Sequence, residues 1–189
     1  MEIFRNVYTS ISKVDTLLYL VNLNYFFAIG KNTPWNSSWG DNVSDVNPPT
    51  PEVNLNIIPD IKLYKKPYFQ TLATESQCGN IEFESCGEVI KLTLINLETT
   101  NRETLNYISP SYLYFRIFIE EDDLEFANIN DFRVAGLFKD TTFNTLGQIR
   151  YLPSNVVTKG DLYWGSYFTP IYKTNIVSKT SIYEILLKF

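Results

Sequence analysis

The sequence contains no histidine. That absence removes the side chain that most often serves as a general base near neutral pH and as a metal ligand. Ser-His-Asp and Cys-His catalysis are excluded, and with them histidine-based zinc and iron sites. Cysteine is scarce. The two present, Cys78 and Cys86, cannot fill a tetrahedral zinc site alone. Each precedes a glycine, and the pair either meets across a short hairpin or stays reduced. Basic clusters are missing apart from Lys62, Lys65 and Lys66, which read as the guard of an edge strand. With a net charge of −5, nucleic acid is not expected as a partner. Long apolar runs are missing too. Leu17–Leu20 is far too short to cross a bilayer, so no membrane partner is expected. The opening residues lack the basic start and the cleavage site of a leader, which points to synthesis and assembly in a cytoplasm.

What is present is mostly aromatic and β-prone. The 189 residues include 13 Tyr, 13 Phe and 3 Trp, and 44% are hydrophobic. That composition suits one domain with a sizeable core, or a domain plus an arm, and it favours strands and broad contact surfaces. Tyr25 to Ile29 is an apolar run closed by Gly30, the pattern of a buried strand. Glu88 to Leu97 carries Ile90, Leu92 and Leu94 at period two. Tyr112 to Ile119 has large groups on both parities and should be central. Phe132 to Phe138 is a strand in which Gly136 marks a bulge or a close backbone approach. Leu146 to Leu152 is a shorter strand, and Ser181 to Phe189 alternates as a closing strand should. Pro59 and Pro67 confine Leu55 to Tyr68 to edge or loop structure. Ser12-Lys13-Val14-Asp15 has capping-box spacing before a helix over Lys13–Val21, although the continuous apolar run leaves a strand open.

Two connections stand out. Residues 31–55 hold Pro34, Pro48, Pro49 and Pro51 with Trp35 and Trp39, and residues 156–174 hold Trp164, Tyr167, Phe168 and Pro170. Loops of this length are usually functional or disordered, and disorder seldom carries two tryptophans. They either fold back as lids or dock onto neighbours. Catalytic and ionic motifs are weak by comparison. Glu120-Glu121-Asp122-Asp123 lacks the EF-hand pattern and reads as a solvated acidic turn. Paired acids for glycoside hydrolysis normally come from separate strands, and no such pair stands out. Gly30-Lys31-Asn32-Thr33 lacks the upstream glycine of a phosphate loop, since position 25 is Tyr. No cofactor is expected.

The order of the segments carries a resemblance. Tyr25-Phe26 and Ile29-Gly30-Lys31 lead through Thr33-Pro34-Trp35 and Asp45 to Pro48-Pro49-Thr50-Pro51. Phe132-Arg133-Val134-Ala135-Gly136-Leu137-Phe138 follows, then Gly147-Gln148-Ile149-Arg150-Tyr151, and the chain ends Ile182-Tyr183-Glu184-Ile185-Leu186-Leu187-Lys188-Phe189. This set resembles the wedge proteins in the baseplates of contractile-tailed, T-even-like bacteriophages. The resemblance implies a non-enzymatic virion structural protein of the tail baseplate, assembled in the host cytoplasm. It implies other baseplate or tail proteins as partners, and self-association. Interface candidates on this reading are Trp35, Trp39, Pro48, Pro49, Pro51, Trp164, Tyr167 and Phe168, because rigid rings and prolines lose little entropy on docking.

The expected fold is mainly β: an antiparallel, sandwich-like domain with long proline- and aromatic-rich loops and one or two short helices. The expected division is an N-terminal segment, 1–22, followed by a β-rich domain, 23–189, that includes the arm 31–55 and the aromatic loop 156–174. The alternative function is a glycan-binding or attachment module of a tail or fibre, with Trp and Tyr stacking on sugar faces.

Overall fold

In the computed structural model, residues 10–52, 55–85, 88–173 and 180–189 are described. They form α1 (Ser10–Val21), β1 (Tyr25–Gly30), β2 (Ile61–Lys65), β3 (Phe69–Glu75), β4 (Ile81–Ser85), β5 (Glu88–Leu94), α2 (Arg102–Ile108) and β6 (Tyr112–Glu120). There follow α3 (Glu121–Phe126), β7 (Asp131–Lys139), β8 (Thr142–Phe143), β9 (Arg150–Tyr151), β10 (Val156–Thr158), β11 (Asp161–Tyr172) and β12 (Thr180–Lys188). The fold is mainly β, with two five-stranded sheets ordered β11-β7-β1-β2-β9 and β12-β6-β3-β5-β4, and a small β10-β8 pair. The helices are short, and three are α-helical where the sequence suggests one or two.

The first sheet is organised around β1, which is buried at every residue. It runs antiparallel to β7 from Tyr25↔Lys139 to Gly30↔Val134, and antiparallel to β2 from Phe27↔Lys65 to Ile29↔Leu63. Strand β7 is flanked on both sides and buried from Phe132 to Phe138. This is why its sequence reads as a continuous apolar run and not as an alternation. Gly136 does not break the strand. It stands in register with Ala28 on one side and Gly165 on the other. A Cβ at Gly136 would sit 3.1 Å from Ile58 Cδ1, and one at Gly165 3.0 Å from Leu55 Cδ2. Three small residues abreast thus make a shallow trough, and Leu55 and Ile58 fill it, Ile58 being buried. The trough anchors the far end of the 31–55 connection, which ordinary side chains would hold off the sheet.

Three sequence expectations change here. Residues 156–174 are no loop: β10 and the twelve-residue β11 occupy 156–158 and 161–172, while residue 174 lies outside the described residues. Gly165 and Pro170 gave the stretch its loop character. Strand β11 ends the sheet, and Pro170 lies inside the register shift between Tyr167 and Ile171, where a ladder donor is not needed. Likewise β2 is no edge strand, because β9 pairs on its outer side through Tyr64↔Tyr151 and Lys65↔Arg150. Pro59 and Pro67 flank β2 and leave its ladder intact. Lys65 therefore guards no edge but is buried at 6% exposure. Of the strand expected over Leu146–Leu152, only Arg150–Tyr151 is β.

The helices follow local rules. On α1, Val14, Leu17 and Val21 are buried at positions i, i+3 and i+7, one face of an amphipathic helix. It begins by Ser10, ahead of the capping spacing at Ser12, and its last turn is tied to β3 by Gln70 Nε2, which donates to the Val21 and Leu23 carbonyls at 2.7 and 3.2 Å. On α2, the Asn101 side chain accepts from Thr104 N at 2.8 Å, and Ser109 closes the helix in the left-handed region at φ +51°.

The chain separates into two compact units. One comprises Met1–Leu23, Phe69–Arg116 and Glu184–Phe189; the other comprises Asn24–Tyr68 and Ile117–Tyr183. The first packs Ala73, Leu92, Tyr112 and Tyr114 with Ile81, Phe83 and Leu186. The second packs Phe26, Ala28, Trp35, Ile58, Tyr64, Val134, Phe138, Phe143 and Tyr151. Cys78 is exposed, and its suggested partner Cys86 lies outside the described residues. No helix among the described residues is long and apolar enough to cross a membrane.

Candidate functional site

The 31–52 stretch belongs to the second unit and is pinned there by charge and by rings. Arg133, on β7, is buried at 2% exposure. Its Nε and Nη2 donate to Asp45 Oδ1 and Oδ2 at 2.7 and 2.8 Å, and its Nη1 donates to Asp131 Oδ2 at 2.9 Å. The two-pronged geometry is the strong form of a guanidinium–carboxylate contact. Asp45 Oδ1 also accepts from Trp35 N at 2.9 Å. One carboxylate thus closes the arm into a loop from residue 35 to residue 45 and fastens it to the sheet.

Trp35, expected at a docking surface, is interior at 3% exposure. Its Nε1 donates to the Phe168 carbonyl on β11 at 3.0 Å, and its ring meets Tyr167 at 5.3 Å between centroids. Trp39 is placed differently. The Asn36 side chain accepts from Ser38 N at 3.1 Å and nucleates a 3-10 turn over Ser37–Trp39, which turns the Trp39 ring outward to 39% exposure. That ring is braced from behind, edge-on to Trp35 at 5.0 Å and with Lys31 Nζ 5.2 Å from its centroid. Lys31 itself is buried, lies 4.6 Å from the Trp35 ring centroid, and donates to Thr33 Oγ1 at 3.1 Å. Burial, and then the Arg133 charge, push its ammonium pKa down. A cation between two indoles fixes both rings.

Pro48, Pro49 and Pro51 are half-buried, and so are Trp164, Tyr167 and Phe168. Val46 is 89% exposed. Trp164 stacks near Phe27 at 6.4 Å, and Phe168 meets Phe132 edge-on at 5.7 Å. Of the eight aromatic and proline candidates, then, Trp39 is the most exposed, and Tyr167 of β11 lies behind it with ring centroids 6.3 Å apart. Arg133 and Asp45 are the residues that sequence reasoning did not single out as a pair. They stand 88 positions apart, and only the arginine inside an otherwise apolar strand hinted at a buried carboxylate partner.

The hydrogen bond from Arg133 holds the Asp45 carboxyl below the usual carboxylate range, against the opposing effect of burial. A carboxyl whose pKa falls on folding contributes fully above its unfolded value, about 4, and loses that contribution as pH drops through the folded value. An acid titration followed by tryptophan fluorescence is therefore expected to show the arm loosening below pH about 4. In Asp45→Asn that acid step should be absent. An identical step in both proteins would assign the transition to other carboxyls.

A second charged cluster lies in the same unit and is structural. The acidic run expected as a solvated turn is α3, with Asp123 at 1% exposure. Asp123 pairs with Lys65, takes a weaker contact from Arg150 at 3.4 Å, and accepts from Glu120 N at 2.8 Å. Its oxygens are taken up by cations and by the helix start, which leaves little for an ion. Among the described residues no group of three or more acidic or cysteine side chains is placed to hold a metal.

The site thus offers a surface braced by an ion pair and by packed rings. A search of curated proteins finds no match to the chain. One family matches over residues 7–189, described as Baseplate wedge 3 tail fiber network component. Its description carries a place, the tail baseplate, and a role among other baseplate and tail proteins. The match spans nearly the whole chain, both compact units included, and so this chain belongs to the baseplate wedge 3 tail fiber network component family.

Proposed function

We propose that the chain is a non-enzymatic building block of the baseplate wedge that works by subunit–subunit docking through its 31–52 arm. Family membership supports the structural role. The observation that carries the docking step is the division of labour between the two tryptophans. Trp35 is spent on holding the arm, while Trp39 is held half in solvent by Trp35, Tyr167 and Lys31. A ring fixed before contact gives up little conformational freedom on binding. Buried aromatic anchors of this kind dominate the energetics of interfaces. Pro48, Pro49 and Pro51 extend the same stiff surface. Assembly in the host cytoplasm, with other baseplate or tail proteins as partners, belongs to this reading, as does self-association of the chain.

Trp39→Ala tests it. The free chain is expected to keep its fold, because that ring is already partly solvated, with a thermal midpoint within a few degrees of wild type, about the shift of 1 kcal/mol. Incorporation into purified baseplates is expected to drop about tenfold or more, the effect of losing an interface hot spot. Wild-type incorporation of a folded Trp39→Ala chain would count against docking through the arm.

A further inference from the structure

A second surface of the same unit carries features of an interface that none of the eight candidates touches. The connection between β8 and β9, residues 144–149, presents Leu146 at 90% exposure and Ile149 at 64%. It is no frayed loop. Gly147 turns it at φ +81°, Gln148 N donates to Tyr151 Oη at 2.9 Å, and the Ile149 carbonyl accepts from Lys66 N at 2.8 Å. Two large aliphatic side chains are therefore held in water by a braced turn, at positions where turns ordinarily carry polar residues.

Beside them lies a groove of about 250 Å³, smaller than the roughly 300–1,000 Å³ of small-molecule sites. It suits a protruding side chain. Its floor is a rigid set of rings: Phe143 and Tyr151 stack at 3.8 Å, and Phe26 meets them edge-on at 4.7 and 5.7 Å. Lys66 is the one charged residue in the lining. It is exposed, and among the described residues no ion pair includes it. In a chain of net charge −5, an unpaired cation on the rim of an apolar groove selects an occupant of opposite charge.

We infer that this groove receives an apolar side chain flanked by a carboxylate, contributed by a neighbouring baseplate protein of different sequence. The apolar group enters over Phe143 and Tyr151 between Leu146 and Ile149, and the carboxylate meets Lys66. The inference rests on the docking reading above and adds a second contact point to it.

The test uses the assembled particle. Zero-length carbodiimide coupling of purified baseplates joins a lysine to a carboxylate it touches. Mass spectrometry is expected to find Lys66 linked to an Asp or Glu, next to an apolar residue, in another baseplate protein. Lys66 left uncoupled, or linked to its own chain or a second copy of it, overturns the inference. In parallel, Leu146→Asp/Ile149→Asp is expected to melt as wild type does but to incorporate at least about tenfold less. Lys66→Glu should be impaired as well, and restored when the coupled carboxylate is changed to lysine. Wild-type incorporation of the double variant overturns the groove while leaving the arm intact, provided that Trp39→Ala is still defective. If both variants incorporate normally, the docking reading fails with it.

Discussion

Replacing Trp35 with alanine is expected to destabilise the free chain by about 3–5 kcal/mol, the range for deleting a large aromatic from a core. The size follows from what the ring touches. Trp35 is 3% exposed and packs in a cluster with Phe26, Ile58, Tyr64 and Val134. Its loss opens a cavity between the arm and the sheet and leaves the Phe168 carbonyl without its indole donor. It also frees one side of Lys31 and of Trp39. For a chain of this size the thermal midpoint should fall by about 6–20 °C. Denaturant unfolding of Trp35→Ala beside Trp39→Ala makes the comparison. Equal, small losses would mean that the arm rests on the sheet without being part of its core.

The second large effect is expected at Asp123. Asp123→Ala removes the main partner of Lys65, which is itself 6% exposed, and leaves a buried ammonium whose remaining carboxylate partner among the described residues is Glu120 at 3.2 Å. Breaking a buried pair from one side costs about 3–5 kcal/mol, because the surviving charge stays desolvated. The substitution also takes away the acceptor for Glu120 N at the start of α3. The double variant Asp123→Leu/Lys65→Met should regain much of the loss, since replacing both charges removes the desolvation cost as well. Equilibrium unfolding of the two single variants and the double variant gives the coupling. Additive losses would show that the pair is not the source of the effect.

Much of the fold is legible in the sequence, and the illegible parts share a physical cause. Strands β1, β6 and β7 announce themselves as apolar runs, and β12 by its alternation, because local periodicity is set by which faces are covered. Strand β11 hides because Gly165 and Pro170 are turn residues on a local reading. What makes them acceptable is tertiary: Gly165 opposes Gly136 across the ladder, and Pro170 falls in an irregular stretch of a terminal strand. The acidic run at 120–125 reads as a solvated turn because the cations that bury Asp123, Lys65 and Arg150, lie 58 and 27 positions away. The arm shows the same limit. Two tryptophans in a proline-rich stretch point to an ordered contact segment, and residues 35 and 39 do both make contacts. Which ring turns inward depends on the Phe168 carbonyl and on Arg133, neither of which a local window contains.

The arm's role is tested most directly by hydrogen exchange on the chain, free and inside the assembled baseplate. In the free chain the Trp35 amide, bonded to Asp45, should already exchange slowly, while the peptide covering residues 36–52 exchanges fast. On assembly, residues 36–52 should become protected and Trp35 should change little. An unchanged exchange pattern across 36–52 in the assembled baseplate would contradict docking through the arm and leave the stretch as a cover for its own sheet.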